Sequence, residues 1–195
     1  MGDTSSRPLP DKDPSMSLQN LNGTYTIDPS HTRVGFSTRH AMVTKVRGAF
    51  NDVAGSATTG ENLQDAKIEL TIKAASVDTR SADRDGHLKS ADFFDVETYP
   101  NLTFVSTDVK AVDADTLRVT GDLTIKDVTR PVTIDFDYAG SAEDPFGNTR
   151  VGFEGSTVVN RKDFGLTWNA ALETGGVLVS EKATLEFEVS AIKAA

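Results

Sequence analysis

The chain of 195 residues contains no cysteine. Disulfides, thiolate chemistry and cysteine-ligated zinc or iron–sulfur centres are excluded, while the redox compartment stays open. Positive charge is also scarce: 20 Lys and Arg stand against 29 Asp and Glu, for a net charge of -9. That balance argues against nucleic acid, whose phosphates need basic side chains, and against electrostatic docking on an anionic membrane surface. No apolar run approaches the roughly 20 residues that cross a bilayer, so no stable membrane insertion is expected and any lipid partner must be held by burial. The catalytic signatures are missing as well: there is no G-x-S-x-G elbow, P-loop, G-x-G-x-x-G, H-x-x-x-H or H-E-x-x-H. Asp113-x-Asp115 lacks the glycine and glutamate of a calcium loop. The three histidines are scattered, so no catalytic residue, metal or cofactor is assigned.

What the chain does have is a hydrophobic period of two. Ile68, Leu70 and Ile72 alternate with Lys67, Glu69 and Thr71; Leu117, Val119, Leu123 and Ile125 alternate with Arg118, Thr120 and Thr124. The pattern returns in Val132, Ile134, Phe136 and Tyr138, in Val151, Phe153 and Val159, and in Leu185, Phe187 and Val189. Turn residues separate the runs at 113–115, Asp127 and 144–148. Runs this close together predict antiparallel hairpins, because parallel strands need long crossovers. The expectation is an all-β, antiparallel up-and-down barrel of about eight strands in one domain. Residues 1–22, rich in Ser, Asp and Pro, are expected to be a disordered tail before a domain at 23–195. That tail has neither an apolar core nor a cleavage site, so the protein is expected in the cytoplasm if Met1 is the native start, and exported otherwise.

One polar stretch interrupts the strands. Arg84-Asp85-Gly86-His87-Leu88-Lys89-Ser90-Ala91-Asp92-Phe93-Phe94-Asp95 ends in adjacent aromatics and runs through Tyr99-Pro100 into the next strand. Ser81 can cap a helix there, with Asp83 at its positive end; the helix is expected to end near Gly86 or restart at Ser90. Such an insert suits the mouth of a barrel.

This stretch resembles the YceI-like family of lipocalin-like, polyisoprenoid-binding proteins. Ile27-Asp28-Pro29-Ser30-His31-Thr32-Arg33-Val34-Gly35-Phe36 with His40 resembles the family's opening motif, Thr32 standing for the usual serine and Tyr25 for a common tryptophan. Gly121-Asp122-Leu123-Thr124-Ile125 and Val159-Asn160-Arg161-Lys162-Asp163-Phe164-Gly165-Leu166 follow in the family's order. The resemblance runs from about Gly23 to the end. It implies a lipocalin-like barrel with a short helical insert at its mouth, holding an amphiphilic isoprenoid lipid such as an isoprenoid quinone or polyprenyl phosphate.

The ligand-binding candidates are His31, Phe36, His40, Leu70, Arg84, Asp85, His87, Leu88, Phe93, Phe94, Phe104, Phe153, Asn160, Arg161 and Phe164. Arg84 and His87 point to a head-group oxygen, or Arg84 pairs with Asp83 or Asp85 to hold the insert. His31 and His40 read as strand histidines satisfied by backbone hydrogen bonds, or as ligand contacts. Asn160-Arg161 fixes a turn through backbone carbonyls or meets the head group. The phenylalanines serve as core, tunnel wall or both. Ala74, Gly121, Gly155 and Ala191 among the inward residues are expected to leave room inside. Two further readings stay open: a lipid-pathway enzyme using histidine acid–base chemistry, and a filled barrel that holds nothing. Exposed strand edges near an open barrel allow a homodimer.

Overall fold

The computed structural model describes residues 17–173 and 176–195. It contains strands β1 (Gly23–Ile27), β2 (Arg33–His40), β3 (Thr44–Phe50), β4 (Val53–Thr59), β5 (Lys67–Lys73), β6 (Val77–Asp78), β7 (Asn101–Ala111), β8 (Thr116–Ile125), β9 (Val128–Glu143), β10 (Thr149–Asn160) and β11 (Val179–Lys193), with one helix, α1 (Ala82–Lys89). Every pairing among them is antiparallel, and contact between β1 and β11 closes the sheet.

Eleven strand segments make an eight-stranded barrel because two long strands are broken and the two-residue β6 continues the line of β5 along β3 and β4. β1 and β2 lie end to end along β11, Tyr25 opposite Lys193 and Val34 opposite Phe187. β3 and β4 continue one another on the other side of that broken strand. The first break, 28–32, has a local cause. Pro29 has no N–H to give the ladder, and Asp28 turns the chain by accepting from the Ser30 N–H (3.0 Å). Thr32 mends the ladder with its side chain, its hydroxyl donating to Ser190 O (3.2 Å) and accepting from Ser190 N (3.1 Å). A serine supplies the same hydroxyl, so the Thr32 exchange keeps this bridge.

The alternating residues face inward as the period predicts: Ile72, Leu117, Val119, Leu123, Ile125, Val132 and Ile134 are buried. In β7 a register shift between Ser106 and Asp108 changes the parity, so Phe104 and then Val109 and Ala111 turn inward while Val105 is exposed. The small residues behave differently from the expectation. A Cβ on Gly121 would strike the Phe104 ring, and one on Gly155 would strike Phe136 and the Asp135 carbonyl. These glycines seat neighbouring rings rather than widen the interior, and Ala74 is buried in a 3-10 turn; of the four, Ala191 alone lines the cavity described below.

The packed chain starts before residue 23. Leu18 and Leu21 are buried in the core, and the short helical turn at Leu18–Asn20 packs on the one at Glu61–Leu63. Two leucines in a polar stretch carry no periodicity, so their burial was not readable. The rest of the expected tail, 1–16, lies outside the described residues.

Candidate functional site

The barrel encloses an apolar cavity of about 280 Å³. Its lining runs from Leu21, Tyr25 and Leu63 at one end to Arg161, Phe164, Leu166 and Val179 at the other. Tyr25 lies opposite Lys193 and Asn160 opposite Lys182, eleven residue steps apart on β11. With a strand tilt near 40°, that corresponds to roughly 28 Å along the axis. A small volume spread over such a length makes a narrow channel, shaped for a chain rather than a compact ligand.

The polar insert covers the end where β7 begins. Ser81 caps α1, accepting from the Arg84 N–H at 3.3 Å, and Asp83 and Asp85 occupy the first turn. The helix continues through Gly86 to Lys89, because its position is held from outside by a knot on the buried Thr79. Asp85 accepts from the Thr79 N–H (2.8 Å) and hydroxyl (2.6 Å), while Arg84 donates to the Thr79 hydroxyl (2.8 Å) and carbonyl (2.6 Å). Beyond the helix, Phe94 packs edge-on to Phe50, which contacts Phe36. Phe93, His87 and Trp168 form a second aromatic cluster, the His87 and Trp168 rings 4.5 Å apart.

Of the residues expected at the site, Phe36, Leu70, Leu88, Phe93, Phe94, Phe104, Phe153, Arg161 and Phe164 line the cavity. The structure places the others elsewhere. Arg84 and Asp85 are spent on Thr79, a structural role. His87 bonds Asp92 (2.9 Å) on the insert, His31 bonds Asp28 (2.7 Å) and is exposed, and His40 is exposed at the end of β2. Asn160 accepts from the Lys162 N–H (3.0 Å) and so caps the following 3-10 turn. Polar type and motif position drew attention to these six; only the folded chain shows which way each side chain is committed.

Arg161 fixes a turn through backbone carbonyls and also borders the cavity. Only 6% exposed, it donates through Nε to Ser180 O (2.8 Å), through Nη1 to Leu166 O and through Nη2 to Val179 O (3.2 Å). Burial pushes the pKa of this guanidinium down. A guanidinium carries five N–H donors, so two remain beyond these three carbonyls, at a side chain that borders the cavity. At the far end the Tyr25 hydroxyl is buried without a hydrogen-bond partner among the described residues. Sequence reasoning missed this hydroxyl, together with Leu21, Leu63 and Leu166 in the lining. The tyrosine was legible only as a substitute for an aromatic, and the leucines sit outside any regular period.

Among the described residues no group of three His, Asp or Glu is placed to hold a metal.

The YceI-like domain family matches residues 25–191. The chain belongs to the YceI-like family. A UPF0312 protein of Pseudomonas aeruginosa is 44% identical over 145 residues, 73% of this chain and 75% of that protein. BcnA of Burkholderia cenocepacia shares the fold with a TM-score of 0.73 at 23% identity, over 84% of this chain and 98% of BcnA. A polyisoprenoid-binding domain from Saccharophagus degradans does so with a TM-score of 0.68 at 17% identity, over 87% of this chain and 98% of that domain. The closed eight-stranded barrel with one short helix is thus the YceI-like, lipocalin-like fold.

Proposed function

We propose that the protein binds one amphiphilic lipid of the isoprenoid class non-covalently in the barrel, and stores, carries or presents it. The observation that carries this reading is the long, narrow apolar channel. Burying each methylene contributes about 0.8 kcal/mol, so a chain of tens of carbons binds tightly without charge pairing. The head group lies at the α1 end, where the spare N–H groups of Arg161 favour an oxygen-rich head such as a phosphate or quinone carbonyl. The isoprenoid class is supported by family membership and by the description of the Saccharophagus domain. Carriage is favoured over acid–base chemistry because none of the three histidines lines the channel.

Native mass spectrometry of gently purified protein, followed by solvent extraction, tests this. A stoichiometric adduct of isoprenoid mass is expected. Filling the channel with Ala57→Leu should reduce the adduct at least several-fold while leaving the melting transition cooperative. Bare protein that also shows no change in Trp168 fluorescence on adding polyprenyl phosphate or quinone would overturn the reading in favour of a filled barrel.

A further inference from the structure

The hairpin of β2 and β3 stands apart from the rest of this acidic molecule. Between Asp28 and Asp52 there is no carboxylate, while Arg33, Arg39, Lys45 and Arg47 all fall in that interval. Arg39 lies directly opposite Lys45, and Arg47 opposite Ser37, which places Arg39, Lys45 and Arg47 on the outer face. Like charges paired across strands weaken a hairpin, so folding alone gives no reason for this arrangement. Among the described residues no ion pair engages any of these three.

The tip they flank is apolar and, among the described residues, largely exposed. Ala41 and Met42 turn the chain with positive φ (50° and 63°), leaving Met42 63% and Val43 76% exposed. The tip sits at the α1 end of the channel. Ala41 N–H donates to Leu178 O (2.7 Å), one residue from the lining residue Val179, and the Met42 thioether rests over Gly176. An exposed apolar tip ringed by cations suits the boundary between anionic head groups and acyl chains.

We infer that the β2–β3 hairpin docks the protein on anionic lipid bilayers, Met42 and Val43 entering the interface while Arg39, Lys45 and Arg47 meet the phosphates. The channel end near Arg161 then faces the membrane from which a lipid enters or to which it leaves. The net charge of -9 sets the far field, but charges within about a Debye length of the contact, near 8 Å in physiological salt, dominate docking, and the neighbouring carboxylate on β11, Glu181, is engaged by Lys162 at 2.8 Å. This deepens the lipid-carrier reading without depending on what fills the channel.

Co-sedimentation of the full chain with phosphatidylglycerol–phosphatidylcholine vesicles, against pure phosphatidylcholine vesicles, tests it. Binding to the anionic vesicles is expected to be at least about tenfold stronger and to collapse in about 0.5 M salt. Met42→Asp with Val43→Asp, and separately Arg39→Gln with Lys45→Gln and Arg47→Gln, should each lower it about tenfold or more. These side chains are exposed, and an unchanged circular-dichroism melt checks the fold. Phe146→Asp, at the 87% exposed residue of the β9–β10 turn at the opposite end, should leave binding unchanged. Equal binding to both vesicle types, no binding, or retention by the hairpin variants would overturn the inference. If the vesicle result fails while an isoprenoid adduct is still found, the carrier reading survives and the docking surface does not.

Discussion

Tyr25 is only 4% exposed, and its hydroxyl finds no partner among the described residues although burial raises its pKa and keeps it in the neutral, donating form. A buried polar group without a hydrogen bond costs roughly 1–3 kcal/mol. Tyr25→Phe keeps the ring that packs the end of the barrel and removes the orphan. It should raise the unfolding free energy of ligand-free protein by about 1–2 kcal/mol, measured by urea denaturation; a loss of stability would show that the hydroxyl has a partner. Arg161 presents the opposite case. Its three backbone carbonyls hold the 3-10 turn after β10 to the start of β11, so any truncation removes structure along with the proposed head-group contact. Motif position in the sequence points to Arg161 but does not show that turn and channel share one side chain.

At the scale of elements, α1 is too short to be stable alone, since isolated helices need about 12–15 residues. It spans Ala82–Lys89, and its Ser81 cap was legible from residue type. The knot from Thr79 to Arg84 and Asp85 was not, because Arg and Asp in a polar helix read equally well as ligand contacts or ion-pair partners. Asp85→Ala removes the one carboxylate oxygen, Oδ1, that accepts from both the backbone N–H and the hydroxyl of Thr79, and leaves both donors unsatisfied. Amide exchange across 82–89 should accelerate by roughly tenfold or more, with protection in β8 and β9 unchanged. An unaltered exchange rate would show that packing of Leu88, Phe93 and Phe94, rather than the knot, holds the insert. The strand breaks were partly legible. Asp28-Pro29 announces an interruption, but that β1 and β2 remain one strand of the barrel emerges only from their common partner β11.

For the whole molecule, Arg150 fastens the broken first strand to the β9–β10 turn, bridging Asp28 at 2.5 Å and Asp144 at 2.8 Å. The Arg150 guanidinium, then Ser30 and His31, hold the Asp28 carboxyl well below the usual carboxylate range; the Asn148 backbone N–H, aided by Arg150, lowers Asp144 to about 2. Depressed carboxylate pKa values add stability that is fully present above the unfolded value near 4 and is lost as pH falls toward 2. The melting temperature should therefore be insensitive to these groups at neutral pH and fall as pH drops from about 4 to about 2. In Arg150→Gln the neutral-pH melting temperature should be lower and the acid decline shallower, so the two curves draw together as pH falls from about 4 through 2. Parallel curves would show that the bridge contributes nothing to the acid response.

Composition and period two by themselves determined the class of this protein: all-β, antiparallel, in one barrel, without thiol chemistry or a membrane-spanning run. These are properties of local residue order, because alternation decides which side of a strand is apolar wherever the strand lies. Motif order added the family and, through it, the expectation of a lipid in the interior. Tertiary structure decided the rest. Whether an inward glycine opens space or seats a ring depends on the neighbour across the sheet, as Gly121 and Phe104 show. Whether a polar side chain meets a ligand depends on which backbone groups lie within its reach after folding, which separates Arg161 from Arg84 and Asp85. The channel belongs to the same class: it is the volume left when eight strands close around side chains, and no stretch of sequence contains it.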